Sequence, residues 1–96
     1  MQEFNFTPGP WFEHREGFST VYVEAKLRDG VIQEVAACGP TEMGSAQQSA
    51  NARLIATAPE LLDFIIEYKE AWDDGLAGDS YLLRKAEKVI AKALGK

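Results

Sequence analysis

One cysteine and one histidine stand among the 96 residues. A lone thiol, Cys38, cannot close a disulfide within the chain, and Cys38 with His14 falls short of the donor set of a usual zinc site. Long apolar runs are missing too: nothing approaches the ~18–20 consecutive apolar residues of a membrane helix. The opening Met1-Gln2-Glu3-Phe4-Asn5 has neither a basic nor an apolar stretch, which predicts no secretory signal. Positive charge is scarce, with 10 Lys+Arg against 15 Asp+Glu and a net charge of −5. That balance disfavours a generic nucleic-acid binder, whose affinity comes from displacing phosphate counterions. There is no Gly-rich phosphate loop, no G-x-S-x-G elbow, no H-E-x-x-H pair and no EF-hand loop. These absences predict a protein that is not an enzyme and that uses no cofactor and no metal. The 46% of hydrophobic residues nevertheless supplies material for a core and argues against disorder. The length fits one domain over residues 1–96.

The net charge hides a split. Residues 60–79 hold Glu60, Asp63, Glu67, Glu70, Asp73, Asp74 and Asp79 against Lys69 alone, whereas residues 80–96 hold Arg84, Lys85, Lys88, Lys92 and Lys96 against Glu87. Two solvated helix faces that partly neutralise each other account for this pattern. A sharper reading makes the acidic segment, through Glu67, Glu70, Asp73 and Asp74, a patch that docks a basic partner surface.

The first half reads as strand. After an N-terminal arm at 1–10, residues 11–15 can start a short strand, and residues 18–27 are rich in β-branched and aromatic types. Val21, Val23, Ala25 and Leu27 alternate with Tyr22, Glu24 and Lys26, the period of a half-buried strand. Asp29-Gly30 marks a hairpin, residues 31–38 return, and Gly39-Pro40 ends the run. The expected product over 11–38 is a three-stranded antiparallel β-meander with one dry and one wet face.

The second half, 45–95, has the helical period. Ser45 is the expected N-cap, and Ala46, Ala50, Leu54 and Ile55 form the expected apolar stripe of a first helix. Pro59 forces a break at 57–59 and suits the first turn of a second helix over about 59–73. That helix offers Leu61, Leu62, Ile65, Ile66, Tyr68 and Trp72. Asp74-Gly75 and Gly78-Asp79 frame a loop. A last helix starting near Asp79 or Ser80 offers Leu82, Leu83, Ala86, Val89, Ile90, Ala93 and Leu94, with Gly95 as its stop. Strands first and helices later predict an α+β fold, a three-stranded meander followed by two or three helices packed on one face. A chain this short buries only about 60–65% of its unfolded surface. Trp72 and Ile66 are candidates for surface left uncovered, which a homodimer would cover.

Few residues offer chemistry. His14 is the only imidazole; Glu13 and Glu16 are near in sequence, but strand alternation is expected to turn neighbours to opposite faces, so an ordinary hydrogen bond is expected. Cys38 closes an apolar run and reads as a structural thiol. Glu60, Asp63, Glu67, Glu70 and Asp74 step by three or four, along one side of a helix. Two segments stand out. In Thr7-Pro8-Gly9-Pro10-Trp11 the prolines fix the backbone, so Trp11 is held at a defined angle, either plugging the core or offering a rigid recognition edge. Asn51-Ala52-Arg53-Leu54 puts polar groups inside an alanine-rich helix. Asn51 and Arg53 are poor choices there unless they bond something, and a sheet carboxylate such as Glu24 or Glu34 is the expected partner of Arg53.

These segments carry a resemblance. Thr7-Pro8-Gly9-Pro10-Trp11, followed by residues 49–62 (SANARLIATAPELL) and by Val89-Ile90-Ala91-Lys92-Ala93, resembles small phage and prophage accessory proteins with a TPGPW opening, an ANARLIAAAPELL middle and an AIAKA ending. The set is similar to the Ead-like early proteins of lambda-type phages. Thr57 stands where alanine is usual. The resemblance implies a phage-encoded protein in a bacterial host cytoplasm and supplies no catalytic residue. Four functions compete. The leading expectation is a non-enzymatic accessory protein that binds and modulates a host protein, such as a defence component, through Trp11, Asn51, Arg53, Glu67, Glu70, Asp73 and Asp74. The alternative is an oligomeric sponge for a nucleotide signal, with Arg53, Lys85 or Lys88 on phosphates and Trp11 or Tyr81 stacking on the base. A hydrolase would need carboxylates gathered around His14, and a DNA-binding regulator would need a basic recognition face.

Overall fold

The computed structural model describes residues 5–17, 19–75 and 80–96. Three strands come first: β1 (Trp11–Glu16), β2 (Thr20–Lys26) and β3 (Ile32–Cys38). Three helices follow: α1 (Ser45–Ala56), α2 (Ala58–Asp73) and α3 (Ser80–Leu94). The sheet is an antiparallel meander in the order β1-β2-β3. The α+β fold and the meander are therefore as the residue pattern foretold. Phe18 and Asp79, expected at the start of a strand and of a helix, lie outside the described residues.

Alternation decides the two faces of the sheet. Trp11, Glu13 and Arg15 pair with Ala25, Val23 and Val21, so these six residues share one face. Val21, Val23 and Ala25 are buried there, with 0–2% exposure. Across the strand pair Val21 faces Cys38 and Val23 faces Ala36, after which the register shifts. Val35 falls in that irregularity, and it packs with Ala36 against the same cluster. The other face carries Phe12, His14, Tyr22 and Glu24; His14 Nε2 lies 2.9 Å from Glu16 Oε2, an exposed pair two residues apart on the same side of β1. At the β2–β3 hairpin, Gly30 N donates to Leu27 O at 2.8 Å and Val31 N to Asp29 Oδ1 at 3.1 Å. Asp29-Gly30 thus forms the turn that its residue types foretold.

α1 lies against all three strands. Its buried residues are Gln48, Ala52 and Ala56, spaced by four, and they correct the expected stripe. Ala46, Ala50 and Leu54 face outward, and Ile55 is 36% exposed. Small side chains let the helix axis approach the sheet, and the buried polar member is fully used. Gln48 Nε2 donates to Ser19 O at 2.9 Å and to Cys38 O at 2.8 Å, while its Oε1 accepts from Arg15 at 3.4 Å. One amide therefore closes the carbonyls at one end of the β2–β3 pair and fixes α1 over that end. Capping also differs from expectation. Ser45 is the first helical residue and Gly44 the N-cap, with no side-chain cap bond.

Thr57 is the break. It is 1% exposed, its Oγ1 donates to Arg53 O at 2.7 Å, and α2 begins at the next residue with buried Pro59 in its first turn. The buried hydroxyl is therefore satisfied by the last turn of α1. α2 and α3 contact chiefly each other and α1. The molecule is elongated, 48 × 33 × 17 Å with a radius of gyration of 15.6 Å. A compact domain of this length has about 12.5 Å.

Candidate functional site

The three segments that carry the resemblance, 7–11, 49–62 and 89–93, lie far apart along the chain and meet in space. The first meets the second at Gly9. A Cβ placed there would lie 2.8 Å from Pro59 Cβ and 3.1 Å from Pro59 Cγ. Both are ring atoms that cannot swing away, so only glycine lets the arm lie on α2. Trp11 Nε1 donates to Thr7 O at 3.0 Å, and Thr7 Oγ1 accepts from Gln33 Nε2 at 3.0 Å, which ties the arm to β3. The indole is half-buried against Val21, Val23, Ala52 and Ala56. Of the two readings of Trp11, the core plug is the one with visible contacts.

The second segment meets the third through Lys92, and the end of α3 just beyond it through Gly95. Lys92 Nζ donates to Glu60 Oε1. The Arg53 guanidinium lies against the end of α3: a Cβ at Gly95 would sit 2.6–2.8 Å from Nη1, Cζ and Nε. Gly95 has φ +77°, and Lys96 N donates to Ala91 O at 2.8 Å, closing the helix end. A cation at that end also meets the negative pole of the helix dipole. The sheet carboxylate nearest Arg53 is Glu13, 3.9 Å away, and not Glu24 or Glu34. Glu24 and Glu34 pair with each other in the register and belong to the face turned away from α1.

A cavity of about 400 Å³ opens where the first two segments touch. Phe6, Pro8, Gly9, Pro10 and Pro59 give it an apolar wall, and Glu60 and Asp63 give it negative charge. Glu60 Oε2 is buried and has no hydrogen-bond partner among the described residues. A second cleft of about 520 Å³ runs along α3 between Tyr81, Arg84, Lys85 and Lys88. The acidic and basic helix sides do neutralise each other in part. Lys85 Nζ donates to Glu67, seven residues before the Lys92–Glu60 pair on α3 and seven after it on α2. That opposite progression is the signature of an antiparallel pair. The bond from Lys85, helped by Tyr81, holds the Glu67 carboxyl below its ordinary 4.5 despite partial burial, and Glu67 in turn raises Lys85 above 10.5.

The expected site residues thus part company. Trp11, Arg53 and Glu67 are engaged inside the fold. Asn51 is exposed on α1, Glu70 is exposed on α2, Asp73 pairs with Lys69 at 2.9 Å, and Asp74 caps the end of α2. Residue patterning missed Gln48, because a glutamine in a helix looks like surface until the strand carbonyls are placed. Pro8, Pro59 and Asp63 were visible only as turn, helix start and helix side. Among the described residues no group of three or more His, Cys, Asp or Glu is placed to hold a metal, and no helix is long and apolar enough to cross a membrane.

A small α+β protein whose distant segments interlock, and whose open sites among the described residues include a proline-walled acidic cleft and a basic one, is defined by this geometry. The family described as Salmonella phage P22 protein Y8K6 matches residues 1–96, and the chain belongs to that phage protein family. No curated protein and no solved structure matches it.

Proposed function

We propose that this phage protein is a non-enzymatic accessory factor, akin to the Ead-like early proteins, that acts in the host cytoplasm by binding a host protein. The cavity between the arm and α2 carries the reading. Prolines and Phe6 make a rigid apolar wall that loses little entropy on binding. Asp63, and Glu60 beside it, favour a basic side chain. A lysine- or arginine-bearing segment of a host protein, a defence component among the candidates, has the matching chemistry. Glu70 and Asp74 extend the negative charge along α2 toward its far end.

The test immobilises the full chain and exposes it to bacterial host lysate. Asp63→Lys is expected to lower capture of the specific partner at least tenfold, with Glu70→Lys reducing it less. Equal capture by the wild type and by Asp63→Lys, or no specific capture, would overturn the assignment.

The cleft along α3 supports a second reading, a small anionic ligand such as a nucleotide signal. Tyr81 offers a ring to stack on, while Arg84 and Lys88 offer charge for phosphates. Native mass spectrometry of protein taken directly from cells discriminates: a co-purifying nucleotide lost in Arg84→Glu supports this reading, and a clean apo mass removes it.

A further inference from the structure

We infer that α2 and α3 form a homodimer interface and that two copies of the chain join there as a four-helix bundle. Ile65, Tyr68 and Trp72 of α2 and Leu83, Ile90 and Leu94 of α3 are 44–66% exposed. Half-buried Ile66 is not among them, so the uncovered surface foreseen around Trp72 centres on a different row.

The ion pairs show where these side chains lie. At 100° per residue, the row Leu61, Ile65, Tyr68 and Trp72 lies roughly 80–140° round α2 from Glu60. Leu83, Ile90 and Leu94 lie about 140–180° round α3 from Lys85, in the same sense. Glu60–Lys92 and Glu67–Lys85 stitch one flank of the antiparallel pair. The same rotation on two antiparallel helices therefore carries both apolar rows to the opposite flank, where they form one continuous strip.

Three observations choose a second copy as the occupant. The first is area. The six side chains present on the order of 700 Å², above the ~300–600 Å² of a typical monomer's largest patch and near the ~800 Å² each partner gives to a stable interface. The second is period. Positions 61, 65, 68 and 72 step by four, three and four, the spacing that seats one helix on another, and an antiparallel pair laid on its own copy presents helices to helices. The third is how little this half of the molecule buries alone. Pro59 is the only buried residue of α2 and Leu82 of α3 among those described. A helical pair with so small a core needs its cover when the chain folds, and the only chain certain to be present then is another copy of itself. An isologous two-fold contact satisfies this with one surface. The acidic cavity and the basic cleft involve Glu60, Asp63, Arg84 and Lys88, on other sides of the helices, so dimerisation leaves both open.

Sedimentation of the full chain between about 5 and 100 μM tests the inference, together with isotope-filtered NMR on a mixture of labelled and unlabelled chains. The expected result is a species of twice the 10.6 kDa chain mass. Cross-chain contacts should run from the Trp72 indole to methyl groups of Ile65, Leu83, Ile90 or Leu94. Ile65→Glu with Ile90→Glu is expected to weaken association at least a hundredfold. The NMR contacts decide the matter even where that variant fails to fold. A monomer at 100 μM would overturn the inference and leave the strip to a different protein. A dimer whose cross-chain contacts fall on Phe12 and Ile32 of the sheet would overturn it equally.

Discussion

The sheet with α1 and the pair α2–α3 solve the burial problem in opposite ways. Val21, Val23, Ala25, Ala52 and Ala56 are all but sealed, and the one large polar group among them, Gln48, has every contact it needs. α2 and α3 are longer and carry bulkier apolar residues, yet Trp72 is 66% and Ile65 62% exposed. Small residues at intervals of four let α1 sit close to the sheet, whereas α2 and α3 hold each other by one flank and turn their largest groups outward. The first half is finished within one chain, and the second presents surface.

Three changes test that contrast. The largest effect is expected in the closed half. Gln48→Ala strips the buried partner from Ser19 O and Cys38 O and should cost about 2–4 kcal/mol, read as a lowered urea midpoint with loss of the strand signal. A loss below about 1 kcal/mol would mean that water replaces the amide and that the half is less sealed than its exposure values say.

Gly9→Ala probes the joint between the halves. The new methyl meets the Pro59 ring, so the arm must lift from α2, at about 1–3 kcal/mol. In a Trp72→Phe background the remaining Trp11 reports the movement as a red-shifted fluorescence. Unchanged emission and stability would show that the arm does not rest on Pro59.

The smallest effect is expected in the open half and depends on pH. Glu67 is held below 4.5, so its bond with Lys85 stabilises the fold above that value and is lost as the pH falls through the lowered one. Lys85 is raised above 10.5, so the contribution is complete below that value and fades as the pH climbs through the raised one. The pair is about one-third exposed, which limits it to under about 1 kcal/mol. Lys85→Met should remove that much near pH 7 and flatten the acid limb of thermal stability below pH 4.5. An acid limb identical in the two proteins would assign it to other carboxylates.

Much of this architecture was legible in the residues, because alternation and turn chemistry act locally. Val21, Val23 and Ala25 announce the dry face, Asp29-Gly30 the hairpin, Pro59 the break and Gly95 the stop. The inward face of α1 was not legible. Ala46, Ala50, Leu54 and Ile55 make a better apolar stripe than Gln48, Ala52 and Ala56, and only the strand ends reveal why glutamine wins. The partner of Arg53 was hidden for the same reason, since the register decides which sheet carboxylates share a face with α1. The acidic cleft could not be read from one segment at all, because its walls come from the arm and its charges from α2.

The contacts among Gly9 and Pro59, Glu60 and Lys92, and Arg53 and Gly95 bear on how such a gene can change. Those positions are coupled in pairs: a chimera that takes its opening from one parent and its close from another should keep these joints only if each parent supplies the matching member. The stretch from 20 to 38 is bound to the rest at few points, Val21 and Val23 under α1, Gln33 on the arm and Cys38 under Gln48, and its exposed positions answer mainly to alternation. Mosaic exchange should therefore succeed where it keeps the two members of each contact together.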